Sequence, residues 1–140
     1  MAIKFFFTDV SITLNERNKL KLFIKQLFND EQEYLQSLSY IFCSDQYLLG
    51  INKEFLQHDD YTDIITFTLS EPSMPIEGEI YISIDRIKDN AHIHNVGIRE
   101  ELHRVIFHGA LHLCGYKDKV LLDKQNMTAG EDKYLGLYFK

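Results

Sequence analysis

The sequence predicts one α+β domain over residues 1–140, and three observations support this prediction. The chain has 140 residues, 45% of them apolar and 26% charged, which is the balance of a protein with a single core. Short runs of β-branched and aromatic residues are interspersed with segments whose apolar residues recur at helical spacing. We find no internal repeat, low-complexity tract or linker that would divide the chain.

The first half of the chain alternates between strands and helices. In order, we predict a strand at residues 3–8, a helix from cap candidates at residues 13–16 to about residue 28, a strand at residues 38–44 and a helix from a capping Asp45 to about residue 57. The apolar residues expected to face inward are Leu20, Phe23, Ile24, Leu27 and Phe28 in the first helix and Leu48, Leu49, Ile51, Phe55 and Leu56 in the second.

The second half begins with two strands and ends with helices. We predict strands at residues 63–69 and 79–85 around a loop that contains both prolines, then helices at about residues 86–92, 98–114 and 120–137. The helix at residues 98–114 ends at Gly115 and is apolar nearly all round, so it should lie in the middle of the domain. The last helix has a weaker pattern because Thr128, Ala129 and Gly130 lie in its middle.

The net charge of the chain limits the kinds of partner that it can attract. A net charge of −6 provides no general attraction for a nucleic acid or an anionic membrane. Any contact with RNA must therefore come from a local basic patch, although a solvated helix face explains the candidate residues equally well. The candidates are Lys19, Lys21 and Lys25 in one segment and Arg99 and Arg104 in another.

Two features predict a cytoplasmic location. No apolar run approaches the roughly 18 residues of a membrane helix, and the charged start of the chain, with Lys4, has no apolar signal core behind it. Cys43 and Cys114 are far apart and form no CxxC pair, so we expect reduced, buried thiols rather than a disulfide.

Two histidines on the predicted central helix form a metal-binding pattern. His108 and His112 are four residues apart, which places both imidazoles on one face of a helix. Asp118 follows six residues later, beyond Gly115, at the spacing of the third ligand in the HExxHxxGxxH motif of metzincins. Three ligands leave a fourth position open for an activated water, as in hydrolytic zinc sites, although Fe²⁺ or Mn²⁺ also suits this ligand set.

Other interpretations of the same residues stay open. The histidines could be ordinary core residues, and Asp118 could pair with Lys117 or Lys119 at the surface. Gly109 stands where HExxH metalloproteases have the glutamate that acts as general base, which disfavours a zinc peptidase of the usual kind.

Three motifs together resemble a known family. The segment HGALHLCGY at residues 108–116 closely resembles the HGxLHLxGYDH motif of the YbeY family, bacterial metal-dependent endoribonucleases that are specific for single-stranded RNA and act in ribosomal RNA maturation. Residues 52–55 and 62–67 resemble the family's LNxxYR and PTDVLSF segments, and residues 78–83 resemble its GDIxIS. Their order and spacing also agree, over most of the chain.

The resemblance implies both a fold and a site. The implied fold is a mixed four-stranded sheet with one antiparallel edge strand, packed by about five helices, of which the central one carries the metal site. The implied cofactor is one Zn²⁺ per chain, with His108 and His112 as two ligands and Asp118 at the place of the family's third histidine.

This chain departs from the family pattern at two functional places. The carboxylate of Asp118 keeps the number of ligands but adds a negative charge, which would make a bound water less acidic, and Lys117 would partly offset that charge. Leu56 stands where the family has an arginine implicated in RNA cleavage or binding, so Arg86, Arg99 or a lysine would have to replace it.

The implied function is hydrolysis of single-stranded ribosomal RNA on ribosomal particles, with neither DNA nor a membrane as partner. We predict His108 and Asp63 as catalytic residues, although Asp63 could equally be a turn or cap carboxylate before its strand. Two alternatives are a metallohydrolase of peptides or small substrates and a non-catalytic, metal-binding ribosome assembly factor. The remaining histidines, expected at the surface or behind the ligands, receive no role: His58, His92, His94 and His103.

Overall fold

A computed structural model of the protein describes residues 2–57 and 61–140, and over these residues it contains four strands and five helices. In chain order they are β1 (Ala2–Phe7), α1 (Arg17–Asp30), β2 (Leu35–Cys43), α2 (Asp45–Leu56), β3 (Ile64–Thr68), β4 (Ile76–Ser83), α3 (Ile84–Ile93), α4 (Ile98–Leu113) and α5 (Leu121–Tyr138). The predicted α+β class and the order of the elements are confirmed. Within the described residues, no helix combines the length and the apolar character needed to cross a membrane.

The four strands of the described residues form one mixed sheet in the order β1-β2-β4-β3. Strands β1, β2 and β4 are parallel, because helices cross over between them. Strand β3 runs antiparallel to β4 at one edge, with Ile64 opposite Ile82 and Thr68 opposite Gly78. The antiparallel edge strand implied by the family resemblance is thus confirmed.

Helix α4 lies in the middle of the domain, as its apolar sequence predicts. It packs on β3 and β4 and also contacts α1, α3 and α5. Its backbone rests directly on the sheet at Gly109, where an added Cβ would lie 2.9 Å from the side chains of both Ile64 and Ile80. The buried hydroxyl of Tyr40 on β2 donates a hydrogen bond to the carbonyl of Ile106 at 2.9 Å, which ties the helix to a third strand of the sheet.

Helix α2 differs from its predicted packing. Leu48 is buried, but Phe55 is 60% and Leu56 is 42% exposed, so the prediction that both face inward is wrong. The last turn of α2 lies beside β3, the edge of the sheet, where the ring of Phe55 meets the edge of Phe67 at 6.2 Å. Helical periodicity shows which residues share a face, but not whether another layer covers the end of that face.

Two helix starts are built differently from the sequence prediction. Ser44, rather than Asp45, caps α2, because its hydroxyl accepts a hydrogen bond from the backbone N–H of Tyr47 at 3.1 Å. Asp45 instead accepts a hydrogen bond from the hydroxyl of Ser83 at 2.6 Å, across the carboxyl ends of the strands. Helix α1 begins after Glu16, which has a left-handed backbone (φ 54°) and no side-chain cap.

Helix α5 runs without interruption through the segment that weakened its sequence pattern. Gly130 faces α4, where an added Cβ would lie 3.0 Å from the side chain of Leu111 and 3.2 Å from that of Tyr116. A small residue at this point therefore lets α5 approach α4 closely, and this approach positions the side chains that follow Gly130.

Candidate metal centre

Helix α4 and the loop that follows it bring the three predicted ligands together. His108 and His112 lie one turn apart with their ring centroids 4.5 Å from each other. Nε2 of His108 lies 3.4 Å and Nε2 of His112 lies 3.2 Å from the same oxygen, Oδ2 of Asp118. One ligand atom from each residue lies within 4.8 Å of the others, so the trio could hold a metal ion. Among the described residues, the ion pairs of Asp118 are with these histidines rather than with the neighbouring lysines.

The end of α4 explains how Asp118 returns to the histidines. Gly115 has a positive φ of 100°, its N–H donates to the carbonyl of His112 at 3.0 Å, and the N–H of Tyr116 donates to the carbonyl of Leu111 at 3.0 Å. These two bonds form a Schellman motif, which ends the helix and reverses the chain. The predicted role of Gly115 as the helix stop is confirmed.

A carboxylate from α1 anchors the loop that carries Asp118. Glu31, at the end of α1, accepts hydrogen bonds from the hydroxyl of Tyr116 at 2.9 Å and from the hydroxyl of Tyr134 on α5. The loop is therefore fixed by its own backbone bonds to α4 and by a side-chain bond to a second helix.

Each candidate ligand histidine has its second ring nitrogen occupied. Nδ1 of His108 lies 2.6 Å from Oε2 of Glu131, and Nδ1 of His112 lies 2.9 Å from the backbone carbonyl of Tyr116. Because a carboxylate and a carbonyl only accept hydrogen bonds, each Nδ1 carries a proton, which makes Nε2, on the side of Asp118, the nitrogen that can bind a metal ion. This is the arrangement in which histidine binds metals in proteins.

The carboxylates around His108 raise the pKa of its imidazole. Burial by itself lowers the pKa of His108, but the hydrogen bond and charge of Glu131 and the nearby charges of Asp63 and Asp118 outweigh it and raise that pKa overall. The sequence analysis missed Glu131. Its position, 13 residues after Asp118 on another helix, follows no spacing rule, and the packing of α5 on α4 alone brings it to the site.

Asp63 lies immediately before β3, next to Ile64, whose side chain lies under Gly109 of α4. Its carboxylate is half-buried, and burial raises its pKa, while the charge of His108 lowers it and those of Glu131 and Asp118 raise it. Asn90 is 3.5 Å from the carboxylate, and the backbone carbonyl of Asp63 accepts a hydrogen bond from Ser83 N–H at 2.9 Å. The charges of the candidate site therefore influence the pKa of this carboxylate. The catalytic role of Asp63 stays a prediction.

The other histidines lie away from the trio or outside the described residues. His92 and His94 are exposed, as predicted. His103 is 2% exposed, so its expected place at the surface or behind the ligands is wrong, because its ring stacks on that of Tyr138 with centroids 5.1 Å apart. His58 falls outside the residues that the structure describes.

The cations considered as substitutes for the family arginine are engaged elsewhere. Arg86 pairs with Asp45 at 3.0 Å and with Asp89 at 2.7 Å, and Arg99 lies 3.7 Å from Glu16. Two of the three basic candidates on α1 are also engaged. Lys19 pairs with Glu16 and lies over the ring of Tyr138, and Lys21 lies over the ring of Phe5.

Both cysteines are free thiols. Cys43 is fully buried, as predicted, and burial, followed by the charge of Asp9, raises its pKa to about 12. Cys114 is half-buried against the main core, and burial likewise raises its pKa. Neither thiol is therefore ionised near neutral pH.

Known proteins resemble this chain over nearly its whole length. Residues 7–138 match the family model described as Endoribonuclease YbeY. A protein of Cytophaga hutchinsonii named Endoribonuclease YbeY is 49% identical over 97% of this chain and 95% of its own length. A protein of the same name from Christiangramia forsetii is 40% identical over 95% of this chain and 92% of its own length.

The fold also resembles a solved structure. The solution structure of TM1509 from Thermotoga maritima superposes with a TM-score of 0.67 at 25% sequence identity, covering 98% of this chain and 89% of that one. The agreement extends to the whole fold, and the sequence match spans all of the motifs identified above. The chain therefore belongs to the YbeY endoribonuclease family.

Proposed function

We propose that residues 1–140 form one zinc-dependent hydrolase domain that cleaves phosphodiester bonds of single-stranded ribosomal RNA. The observation that supports this most is the convergence of two Nε2 atoms on one carboxylate oxygen, at 3.4 and 3.2 Å. Two ligand atoms of a tetrahedral zinc, each ~2.0–2.1 Å from it, lie roughly 3.3 Å apart. The donor set of His108, His112 and Asp118 thus fits one Zn²⁺ per chain.

In this proposal the three ligands leave a position for water and substrate. Zinc would supply Lewis acidity to a phosphodiester and lower the pKa of a water in that position. His108 and His112 are oriented by their Nδ1 hydrogen bonds, which hold both Nε2 atoms ready. Asp118 adds a negative charge that favours retention of the cation.

Asp63 is the proposed partner for proton transfer. Because burial raises its pKa, its carboxyl exchanges a proton more readily near neutral pH than an exposed aspartate does. The charge of His108 lowers the pKa of Asp63, and those of Glu131 and Asp118 raise it, so the proposed partner shares the electrostatic surroundings of the site. Its bonds to Asn90 and Ser83 hold it in place.

RNA is a better substrate for this site than a peptide. The two relatives described above are named endoribonucleases. Gly109, which occupies the place of the metalloprotease general base, lies against Ile64 and Ile80, so a glutamate there would point into the sheet rather than at the ligands. The proposed substrate is unpaired rRNA in ribosomal particles of the cytoplasm, and neither DNA nor a membrane is a proposed partner.

The test combines metal content with cleavage on the same samples. We would measure zinc by elemental analysis in tag-free wild-type protein and in His108→Ala and Asp118→Ala, and assay cleavage of a single-stranded RNA, its duplex and a casein peptide. His103→Phe is the matched control, since His103 lies on the same helix but stacks on Tyr138.

We expect one zinc per chain and single-strand cleavage in wild type and in His103→Phe, with both lost in the two ligand variants. If wild type binds no zinc even when zinc is offered, the metal site is wrong. If it binds zinc but cleaves none of the three substrates, a non-catalytic assembly factor is the better explanation. Cleavage of the peptide alone would make the protein a peptidase.

A further inference from the structure

We propose that Glu131 and Arg104 are positioning residues that orient His108 and strengthen its hold on the metal, an inference that rests on the proposed function. Glu131 uses one carboxylate oxygen for each partner. Oε2 lies 2.6 Å from Nδ1 of His108, and Oε1 lies 3.0 Å from Nη1 of Arg104. The three side chains therefore form one continuous row, from Arg104 on α4 through Glu131 on α5 and back to His108 on α4.

Burial makes this row more than a surface ion pair. The side chain of Glu131 is 11% and that of Arg104 is 27% exposed. A buried carboxylate is costly unless a charged or hydrogen-bonded partner compensates it, and here the guanidinium does so. Arg104 is held in turn by Asp132 at 3.2 Å and lies 3.8 Å from Glu101, so it has little freedom to leave Glu131.

The row acts on one ligand and not on the other. The proton on Nδ1 of His108 faces a full negative charge, which makes the opposite nitrogen a stronger electron donor. The Nδ1 proton of His112 faces the neutral carbonyl of Tyr116 instead. Side-chain substitutions can therefore tune the metal affinity through His108, while the support of His112 belongs to the backbone.

A purely structural role for the same contacts predicts something different. Glu131 and Arg104 join α5 to α4, so their removal would lower stability whether or not they serve the metal. Asp132 separates the two roles. It binds the same Nη1 atom of Arg104, but its side chain is 62% exposed, and its ion pair is with Arg104 rather than with His108.

The experiment measures zinc affinity rather than activity. Apo protein would be titrated with zinc in competition with a coloured chelator for wild type, Glu131→Ala, Glu131→Gln, Arg104→Gln and Asp132→Asn, with urea unfolding of each. We expect zinc affinity to fall by about 10–100-fold in Glu131→Ala and by less in Glu131→Gln and Arg104→Gln. In Glu131→Gln the amide oxygen of the new side chain can still accept the proton of Nδ1, but without the charge. Asp132→Asn should stay within about twofold of wild type.

A second readout on the apo protein needs no metal. Nitrogen-15 NMR of the His108 ring, at a pH where the ring is neutral, should show the proton on Nδ1 in wild type and a shift of the proton towards Nε2, which faces Asp118, in Glu131→Ala. An unchanged zinc affinity and tautomer in a destabilised Glu131→Ala would overturn the proposal and leave a structural ion pair. Absence of zinc binding in wild type would overturn the proposed metal site instead, and the fixed tautomer would still test the orientation of His108.

Discussion

The histidines in the two halves of α4 have different surroundings. Near the start of the helix, His103 is 2% exposed, its Nδ1 lies 2.7 Å from the carbonyl of Arg99, and its Nε2 has no hydrogen-bond partner among the described residues. Near the end, His108 and His112 also have Nδ1 occupied, but their Nε2 atoms face Asp118. A bonded Nδ1 is thus common to all three, but the side chains of His108 and His112 are 19% and 22% exposed, and the surroundings of Nε2 distinguish them from His103.

The difference follows from helix geometry and from the neighbouring helices. His103 and His108 are five residues apart, which is ~140° around a helix, so they face different surroundings. His103 faces the aromatic rings of Tyr138 and Phe139, and His108 faces Glu131. Burial, the larger cause, lowers the pKa of His103, whereas the carboxylates around His108 raise its pKa in spite of burial.

The largest expected difference between the two halves of α4 comes from removal of a proposed ligand histidine. We expect His112→Ala to weaken zinc binding and RNA cleavage by more than about 100-fold, because loss of a direct ligand should exceed the ~10–100-fold cost of losing its support. The same two measurements on His103→Ala should give values close to wild type. Equal losses in both variants would show that the two halves of the helix do not differ in function.

Substitution of Gly109 tests how closely α4 packs on the sheet at a position between His103 and His112 in the chain. An added methyl group would lie 2.9 Å from Ile64 and Ile80, so Gly109→Ala should push the helix off the sheet and cost about 1–3 kcal/mol in the free energy of unfolding. Urea unfolding measures this. Gly136→Ala on α5 is the control, since nothing lies within 4 Å of its added Cβ, and it should stabilise by about 0.5–1 kcal/mol. Equal stability of the Gly109 variant and wild type would contradict the close packing.

Substitution of Gly115 tests whether the turn at the end of α4 positions Asp118 beside the two histidines. With φ at 100°, Gly115→Ala should cost about 1–2 kcal/mol of stability and should also weaken zinc binding, because the turn that delivers Asp118 is strained. Gly97→Ala at the other end is the control. Gly97 is the N-cap residue of α4, with φ −70° and free space around its added Cβ, so its change to alanine should cost up to about 1 kcal/mol of stability and leave zinc affinity unchanged. A Gly115 variant with unchanged affinity would show that the turn does not position the ligand.

The smallest expected effect is on the pH dependence of stability. It tests the difference between the pKa of His103, which is lowered, and that of His108, which is raised. Because the pKa of His103 is lowered in the folded state, the unfolded chain binds more protons below its ordinary value of 6.5. The free energy of unfolding should therefore fall as the pH decreases below about 6.5, by at most ~1.4 kcal/mol per pH unit from this residue. In His103→Phe this contribution disappears.

Urea unfolding of metal-free protein at pH 7.5 and 5.5 measures that contribution. Other titrating groups are common to wild type and variant, so the difference between them isolates His103. His92→Gln, a change of an exposed histidine, should leave the pH dependence of wild type intact. If His103→Phe loses as much stability on acidification as wild type, the buried imidazole is not the cause.

The sequence allowed the convergence of His108, His112 and Asp118 to be predicted because the features that bring them together are local. Four residues on a helix determine the relation of His108 to His112, and one glycine allows the turn to Asp118. The environment of His103 and the contact of Glu131 with His108 were not predictable, since both depend on where α5 packs. The exposure of Phe55 was mispredicted for a related reason, because the edge position of β3 is a property of the sheet order.

The attachment of the Asp118 loop to Glu31 has a consequence for how the cation enters and leaves. A loop that is tied to α4 through its backbone and to α1 through Tyr116 loses little conformational entropy when a ligand arrives. Capture of the ion then requires no folding of the loop, so apo and loaded protein should protect the amides of this segment from hydrogen exchange to a similar degree. The candidate coordination site is therefore preorganised, so the affinity of the proposed site should reflect its donors rather than the cost of assembling them.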